Sequence, residues 1–152
     1  MSARMWILRA VTTSVLALTG CTLGNLSSQS RFSDSAYELN DAARWNEVDT
    51  ASRHVAESYR PRFLARRRAW GEGVSIAEVE LSKMKLGEDK SRGVSEVTLS
   101  WYDASGMTIR RSSITQRWES QRGNYRLVDE VIARGDQTLF GDEAASAPSA
   151  SN

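Results

Sequence analysis

The chain has 152 residues, 20 basic against 19 acidic, with one histidine and one cysteine. That length suits one domain with a modest core rather than two. The even balance of charge argues against a nucleic-acid binder held by net positive field, and a lone cysteine excludes an internal disulfide.

The first segment, Met1 to Arg9, carries Arg4 and Arg9 and no acid, and is followed by an uncharged run from Ala10 to Leu18. A bilayer-spanning helix needs about 20 apolar residues, so this pattern reads as an export signal over residues 1–20 and not as a membrane span. The run ends Leu18-Thr19-Gly20-Cys21, which resembles at all four positions the lipobox of bacterial lipoproteins. The resemblance implies cleavage after Gly20, a diacylglyceryl group on the sulfur of Cys21, and acylation of the new amino group, typically with palmitate. A thioether also accounts for an odd thiol in an exported protein. One acyl chain holds a protein to a bilayer only marginally, but two or three make release negligible. Position 22 is Thr, where Asp would resemble an inner-membrane retention signal, so the expected location is the cell envelope, at the periplasmic face of the outer membrane if the host is Gram-negative.

After the lipidated cysteine, residues 21–31 read as a flexible tether, residues 32–140 as a single folded domain, and residues 141–152, rich in Ala and Ser, as a disordered tail. Within the domain, Ala36, Leu39 and Ala43 recur at helical spacing behind Ser33 or Asp34, predicting a first helix over 34–46. Asp49 can cap a second, in which Ala51, Val55 and Tyr59 align until Pro61 interrupts it. A third, short helix is predicted from Pro61 to Trp70, burying Phe63, Leu64 and Trp70, with Gly71-Glu72-Gly73 as its stop.

From Val74 the period changes to two. In VSIAEVELSKMKL the apolar parity switches twice, after Ile76 and after Leu81, and each switch can be absorbed by a β-bulge in one long curved strand. Val97, Leu99 and Trp101 alternate in a second strand, and Asp103 to Gly106 suits a hairpin turn. Met107 to Trp118 forms a third strand with a parity shift across Arg110 to Ser113. After a turn at Ser120 to Gly123, Asn124 to Ala133 forms the fourth. With no helix between strands, parallel winding is excluded. The expected fold is α+β, with N-terminal helices packed on a curved four-stranded antiparallel meander. That element order, with the ending Trp118-Glu119, turn, Gly123-Asn124-Tyr125-Arg126-Leu127, resembles the nuclear transport factor 2-like superfamily of cone-shaped domains; a cystatin-like fold gives much the same string.

The resemblance implies two classes of function, since the superfamily holds isomerases and dehydratases alongside non-catalytic binding domains. Its enzymes place an Asp or His in an apolar pocket of the cone, where burial tunes the pKa. Here the one histidine, His54, lies one position off the apolar stripe of the second helix with no orienting partner nearby in sequence, so no catalytic residue is assigned. There is no zinc or redox spacing, no alternating acidic calcium loop, no glycine-rich phosphate loop and no serine elbow, so no metal or cofactor is expected. The tryptophans Trp45, Trp70, Trp101 and Trp118 are expected in the core, with Trp101 and Trp118 placed to meet on the concave face.

One segment departs from the neutral average. Arg60, Arg62, Arg66, Arg67 and Arg68 fall close together with no acid between Glu57 and Glu72. On a helix Arg62 and Arg66 share a side, whereas Arg67 falls among the apolar residues and must snorkel or find an acid. The expectation is a surface patch of Arg62, Arg66 and Arg68 facing an anionic partner. The partners are therefore expected to be the membrane, through the anchor, and an envelope protein or anionic lipid. The chain reads as an envelope lipoprotein with a binding or structural-interaction role, and an isomerase- or dehydratase-like enzyme is the alternative. In cells fed labelled fatty acid, the wild type should take up label and Cys21→Ala should not; equal labelling of the two would refute the lipobox reading.

Overall fold

The computed structural model describes residues 27–103, 106 and 108–146; the export segment and Cys21 lie outside the described residues. Three helices come first: α1 Ser28–Arg44, α2 Val48–Ser52 and α3 Arg60–Gly73. Four strands follow, β1 Val74–Leu86, β2 Arg92–Asp103, β3 Arg110–Gln121 and β4 Asn124–Gly135, and the chain ends in 3-10 turns over Gln137–Ser146. The strands form one antiparallel sheet in the order β1-β2-β3-β4. Helices pack on one face of it, and the core lies between the two layers.

The first helix begins six residues earlier than its apolar stripe predicted. Ser27 is the cap, its hydroxyl accepting from the Ser30 amide at 3.1 Å, so the expected tether gives way to helix from Ser28. The early start places Phe32 on the helix and fully buried, against Trp118 and Tyr125. Gly93 leaves room for it, because a Cβ there would meet the Phe32 ring at 2.9 Å.

The second helix stops at Ser52 and does not reach Tyr59. Its apolar stripe is buried all the same, by a different route. Val55 forms a parallel bridge with Leu127, with Leu127 N–H donating to His54 O at 2.8 Å and Ala56 N–H to Leu127 O at 2.9 Å. The segment thus covers the edge of β4, satisfying backbone groups that an edge strand leaves open. Tertiary pairing overrides helical periodicity here. The third helix runs three residues past Trp70, through both glycines.

The sheet follows the sequence closely. The β1–β2 register shifts between Ile76 and Glu78 and again between Leu81 and Lys83, where the two parity changes called for bulges. Two further shifts, between Ser113 and Ile114 and between Arg117 and Trp118, bend β4 around β3. The β3–β4 turn has positive φ at both central residues, Arg122 (52°) and Gly123 (86°), as a tight right-twisted hairpin requires. β3 itself starts only at Arg110; Ile109 is 68% exposed. Part of the turn expected at Asp103 to Gly106 lies outside the described residues. The 3-10 turns continue over residues 141–146, where a disordered tail was expected, with a kink at Gly141.

Gly123 and Gly135 provide a matched test of this geometry, since both have φ near +86°. A Cβ at Gly123 meets nothing, but one at Gly135 would lie 2.2 Å from the Arg111 carbonyl oxygen. Gly123→Ala should cost about 1 kcal/mol of unfolding free energy, the penalty for left-handed backbone, and Gly135→Ala about 3 kcal/mol or more. Urea denaturation checks the order; equal losses would show that backbone angle alone governs Gly135.

Candidate functional site

The space between helices and concave sheet is filled. Trp101, Trp118, Phe32, Phe63, Leu39, Ile114, Leu127 and Leu139 are each no more than 2% exposed. The buried polar groups among them are largely paired. Asn40 on α1 and Gln116 on β3 exchange two amide hydrogen bonds, each of 3.0 Å. Ser95 donates to Gln116 at 3.1 Å, and the Trp118 indole donates to Ser95 at 2.9 Å. Trp101 donates to Ser112, whose hydroxyl donates to Asp136 O at 2.6 Å. The register places Trp118 opposite Gly93 and Trp101 opposite Arg110, so the two tryptophans sit at opposite ends of one ladder and not together as expected.

At one side of this interior lies a buried ion pair. Arg67 of α3 donates to the Glu130 carboxylate of β4 at 2.8 Å, and both side chains are essentially unexposed. The acid that Arg67 needs is thus 63 residues away in sequence. Its guanidinium also lies 4.1 Å from the Trp70 ring centroid, 4.4 Å from Phe63 and 5.4 Å from Phe140. Such aromatic faces return part of the attraction that leaving water costs a cation. The arrangement is incompletely satisfied, since Glu130 Oε1 and Arg67 Nε and Nη1 are buried without a hydrogen-bond partner in the protein.

Arg66 stands beside this pair and corrects the surface-patch expectation. It is 4% exposed, donates to Tyr59 Oη at 2.7 Å and to the Glu130 carbonyl at 2.6 Å, and lies over the Phe140 ring. The physical reason is the chain end: Leu139 and Phe140 fold back over α3, and the Trp70 indole donates to Leu139 O at 3.0 Å. A face that α3 alone would show to solvent is covered. Arg62 and Arg68 are exposed, so the expected patch of Arg62, Arg66 and Arg68 does not exist as a continuous surface. Burial, then the Glu130 charge, push the Tyr59 phenol well above its ordinary pKa, which keeps it protonated.

The basic surface lies elsewhere. A cavity of about 620 Å³ is lined by Arg53, Val55, Glu57, Arg60, Gln121, Arg122, Asn124 and Arg126. Its walls are the loop between α2 and α3 and the β3–β4 hairpin, two segments that the Val55–Leu127 bridge brings together. Arg126 donates to the Arg53 carbonyl and Arg60 to the Val55 carbonyl, and no acid among the described residues pairs with Arg53, Arg60, Arg122 or Arg126. Only Arg60 belonged to the noticed run; Arg53, Arg122 and Arg126 are too scattered in sequence to signal a cluster. A second cavity, about 330 Å³, adjoins it through Asn124 and Arg126 and is lined also by Arg31, Asp34, Ser35, Glu38 and His54. There His54 Nε2 lies 3.3 Å from Glu38, a partner its sequence neighbours did not reveal. Burial, opposed by Glu38 and aided by Arg126 and Arg53, lowers the His54 pKa, so the ring is neutral at pH 7. The Glu38 carboxylate is 64% exposed, so the acid beside His54 stands in solvent and not in the apolar enclosure that tunes an acid–base pair.

At the other end of the sheet the surface is aromatic. Trp45, expected in the core, is 65% exposed, with Tyr102 at 42% and Ile109 at 68%. Trp45 borders a groove of about 400 Å³ with Arg44, Trp70 and Val74.

No protein-family model matches the chain, and no curated protein matches it in sequence. Solved structures do match. An NTF2-like protein from Cytophaga hutchinsonii is 12% identical with a TM-score of 0.54, over 69% of this chain and 96% of that one. The two share a fold, helices packed on a four-stranded antiparallel sheet. A SEC-C motif containing protein from Rhodopseudomonas palustris is 17% identical with a TM-score of 0.53, over 62% of this chain and 73% of that one. A candidate polyketide cyclase from Silicibacter sp. TM1040 is 13% identical with a TM-score of 0.51, over 81% and 98%. At such identities these likenesses establish the fold alone.

Within this fold, the one buried acid among the described residues, Glu130, is held by Arg67 rather than facing an open pocket. Glu130→Gln should therefore leave two buried guanidinium groups uncompensated, since Arg66 also lies 3.9 Å from the carboxylate, and destabilise the domain by about 3–5 kcal/mol or more, whereas Arg67→Met/Glu130→Leu should recover only part of that loss because Arg66 stays charged and buried. Chemical denaturation distinguishes the two, and a single variant as stable as wild type would show the pair to be dispensable.

Proposed function

We propose that the protein is a lipid-anchored module of the bacterial envelope with a non-catalytic binding or structural-interaction role. The observation that carries this reading is the filled interior. Catalysis of the isomerase or dehydratase kind needs a substrate-sized apolar space with a positioned acid or base in it. Here that volume is occupied by Trp101, Trp118, Phe63 and Leu39, and the buried acid Glu130 is taken up by Arg67 and Arg66. The described polar cavities lie at the rim and offer charge without enclosure. The lipobox ending at Cys21 supports attachment to the membrane, and the folded domain then serves as what is displayed there.

The enzyme alternative draws on the fold shared with a candidate polyketide cyclase, and it requires a ligand-accessible interior. Binding of an environment-sensitive apolar dye to the full-length protein separates the readings. Wild type should show no saturable dye fluorescence and no quenching of its buried tryptophans, whereas Ile114→Ala, which removes a buried side chain from the middle of the core, should gain both. Saturable uptake by the wild type, displaced by small polycyclic ketones or phenols, would overturn the non-catalytic reading.

A further inference from the structure

We propose that the cavity lined by Arg53, Arg60, Arg122 and Arg126 is a docking groove for the phosphate headgroups of anionic lipids in the membrane that holds the anchor, and that it sets the orientation of the domain on that membrane. The proposal rests on the lipid-anchor reading for its geometry and on the groove itself for its chemistry.

Charge is the first argument. The chain as a whole is nearly neutral, with 20 basic and 19 acidic residues, yet this one cavity gathers four arginines against a single acid, Glu57. None of the four has an ion-pair partner among the described residues, and Arg60 Nε is buried with no hydrogen-bond partner in the protein. Guanidinium groups present forked donors that match phosphate oxygens. The lining contains no aromatic residue, so a nucleotide base would find no stacking platform, whereas a bare phosphate needs none.

Position is the second. The groove lies at the end of the domain where the chain enters it. Arg31, in the first turn of α1, lines the adjoining cavity with Asn124 and Arg126, and these two residues also line the groove. Phe32, next along, is packed on Tyr125 and Trp118 at this same end. Five residues separate Cys21 from the α1 cap at Ser27, and the six steps of chain across them span at most about 22 Å in any conformation. An acylated Cys21 therefore keeps this end, and not the Trp45 end, against the bilayer. The hairpin tip Arg122-Gly123 is exposed and carries the outermost of the four charges. Arginines near an anionic leaflet contribute about 1 kcal/mol each, roughly a fivefold change in binding per residue, and more at low salt.

The test uses the mature full-length protein, extracted in detergent and reconstituted into vesicles of phosphatidylcholine with or without phosphatidylglycerol. Amide hydrogen exchange over residues 121–126 is the readout. On phosphatidylglycerol vesicles exchange should slow by at least about fivefold relative to phosphatidylcholine, and moderate salt should reverse it. Arg53→Gln/Arg122→Gln changes two exposed side chains and should abolish the slowing with the melting temperature retained. Arg62→Gln/Arg68→Gln, on the outer face of α3, should keep it. Equal exchange on both vesicle types overturns the proposal. So does equal protection by inorganic phosphate in detergent, which would make the groove a soluble-phosphate site. Flotation with phosphatidylcholine vesicles tests the anchor separately. If the protein fails to float, the lipoprotein reading fails, and the groove is then judged by sedimentation with phosphatidylglycerol vesicles: binding lost in Arg53→Gln/Arg122→Gln supports it, and no binding by wild type removes it.

Discussion

The contact between Arg67 and Glu130 joins the two halves of the molecule. It ties α3 to β4 at the point where the last strand bends, and with Arg66 beside it the small core holds two guanidinium groups around one carboxylate. Two ions removed from water are tolerable only where partners surround them. That requirement accounts for much of the neighbourhood. Phe63, Trp70 and Phe140 offer ring faces to the guanidinium, and Arg66 turns inward to the Glu130 carbonyl and to Tyr59. The 3-10 turns that carry Leu139 and Phe140 close the side of α3 that would otherwise admit water. An open ligand cavity at this place would expose the pair to solvent and dissolve the reason for the surrounding aromatics, so the filled interior and the buried ions are one constraint seen twice.

How far the sequence revealed this depends on whether a feature is local. The strands were legible because alternation is a property of neighbouring residues, and even the bulges of β1 could be located from two changes of parity. The start of α1 was hidden, since Ser28 to Arg31 carries no apolar residue and only the Ser27 cap and the burial of Phe32 mark it. The end of α2 misled: Ala51, Val55 and Tyr59 do sit at helical spacing and are buried, but a bridge to Leu127 claims the backbone. The arginine run of α3 showed that something basic was there, and showed that Arg67 needed an acid, without showing where. Its partner and the cover over Arg66 come from the last strand and the chain end. Of the groove arginines, drawn from three segments of the chain, only Arg60 lay in the noticed run, and no single window showed the four as a cluster.

The two ends of the domain differ in kind. The end beside the α1 cap gathers guanidinium groups and polar amides around the β3–β4 hairpin. The opposite end, where α1 finishes and β2 stops, presents Trp45, Tyr102 and Ile109 to solvent. Exposed aromatic side chains supply large contact area at small cost in conformational entropy, which makes them suited to protein contacts. The Arg44 guanidinium lies 5.1 Å from the Trp45 ring centroid, which steadies that indole in the open. The long axis of α1 separates the two ends by roughly 25 Å at 1.5 Å per residue. With Cys21 acylated as proposed, a membrane-facing arginine end places the aromatic end away from the bilayer, and a rigid helix rather than a pliant linker then fixes the distance between them. Where the described interior is filled, the ends and outer faces carry the exposed chemistry, and in this domain the chemistry of the two ends is divided.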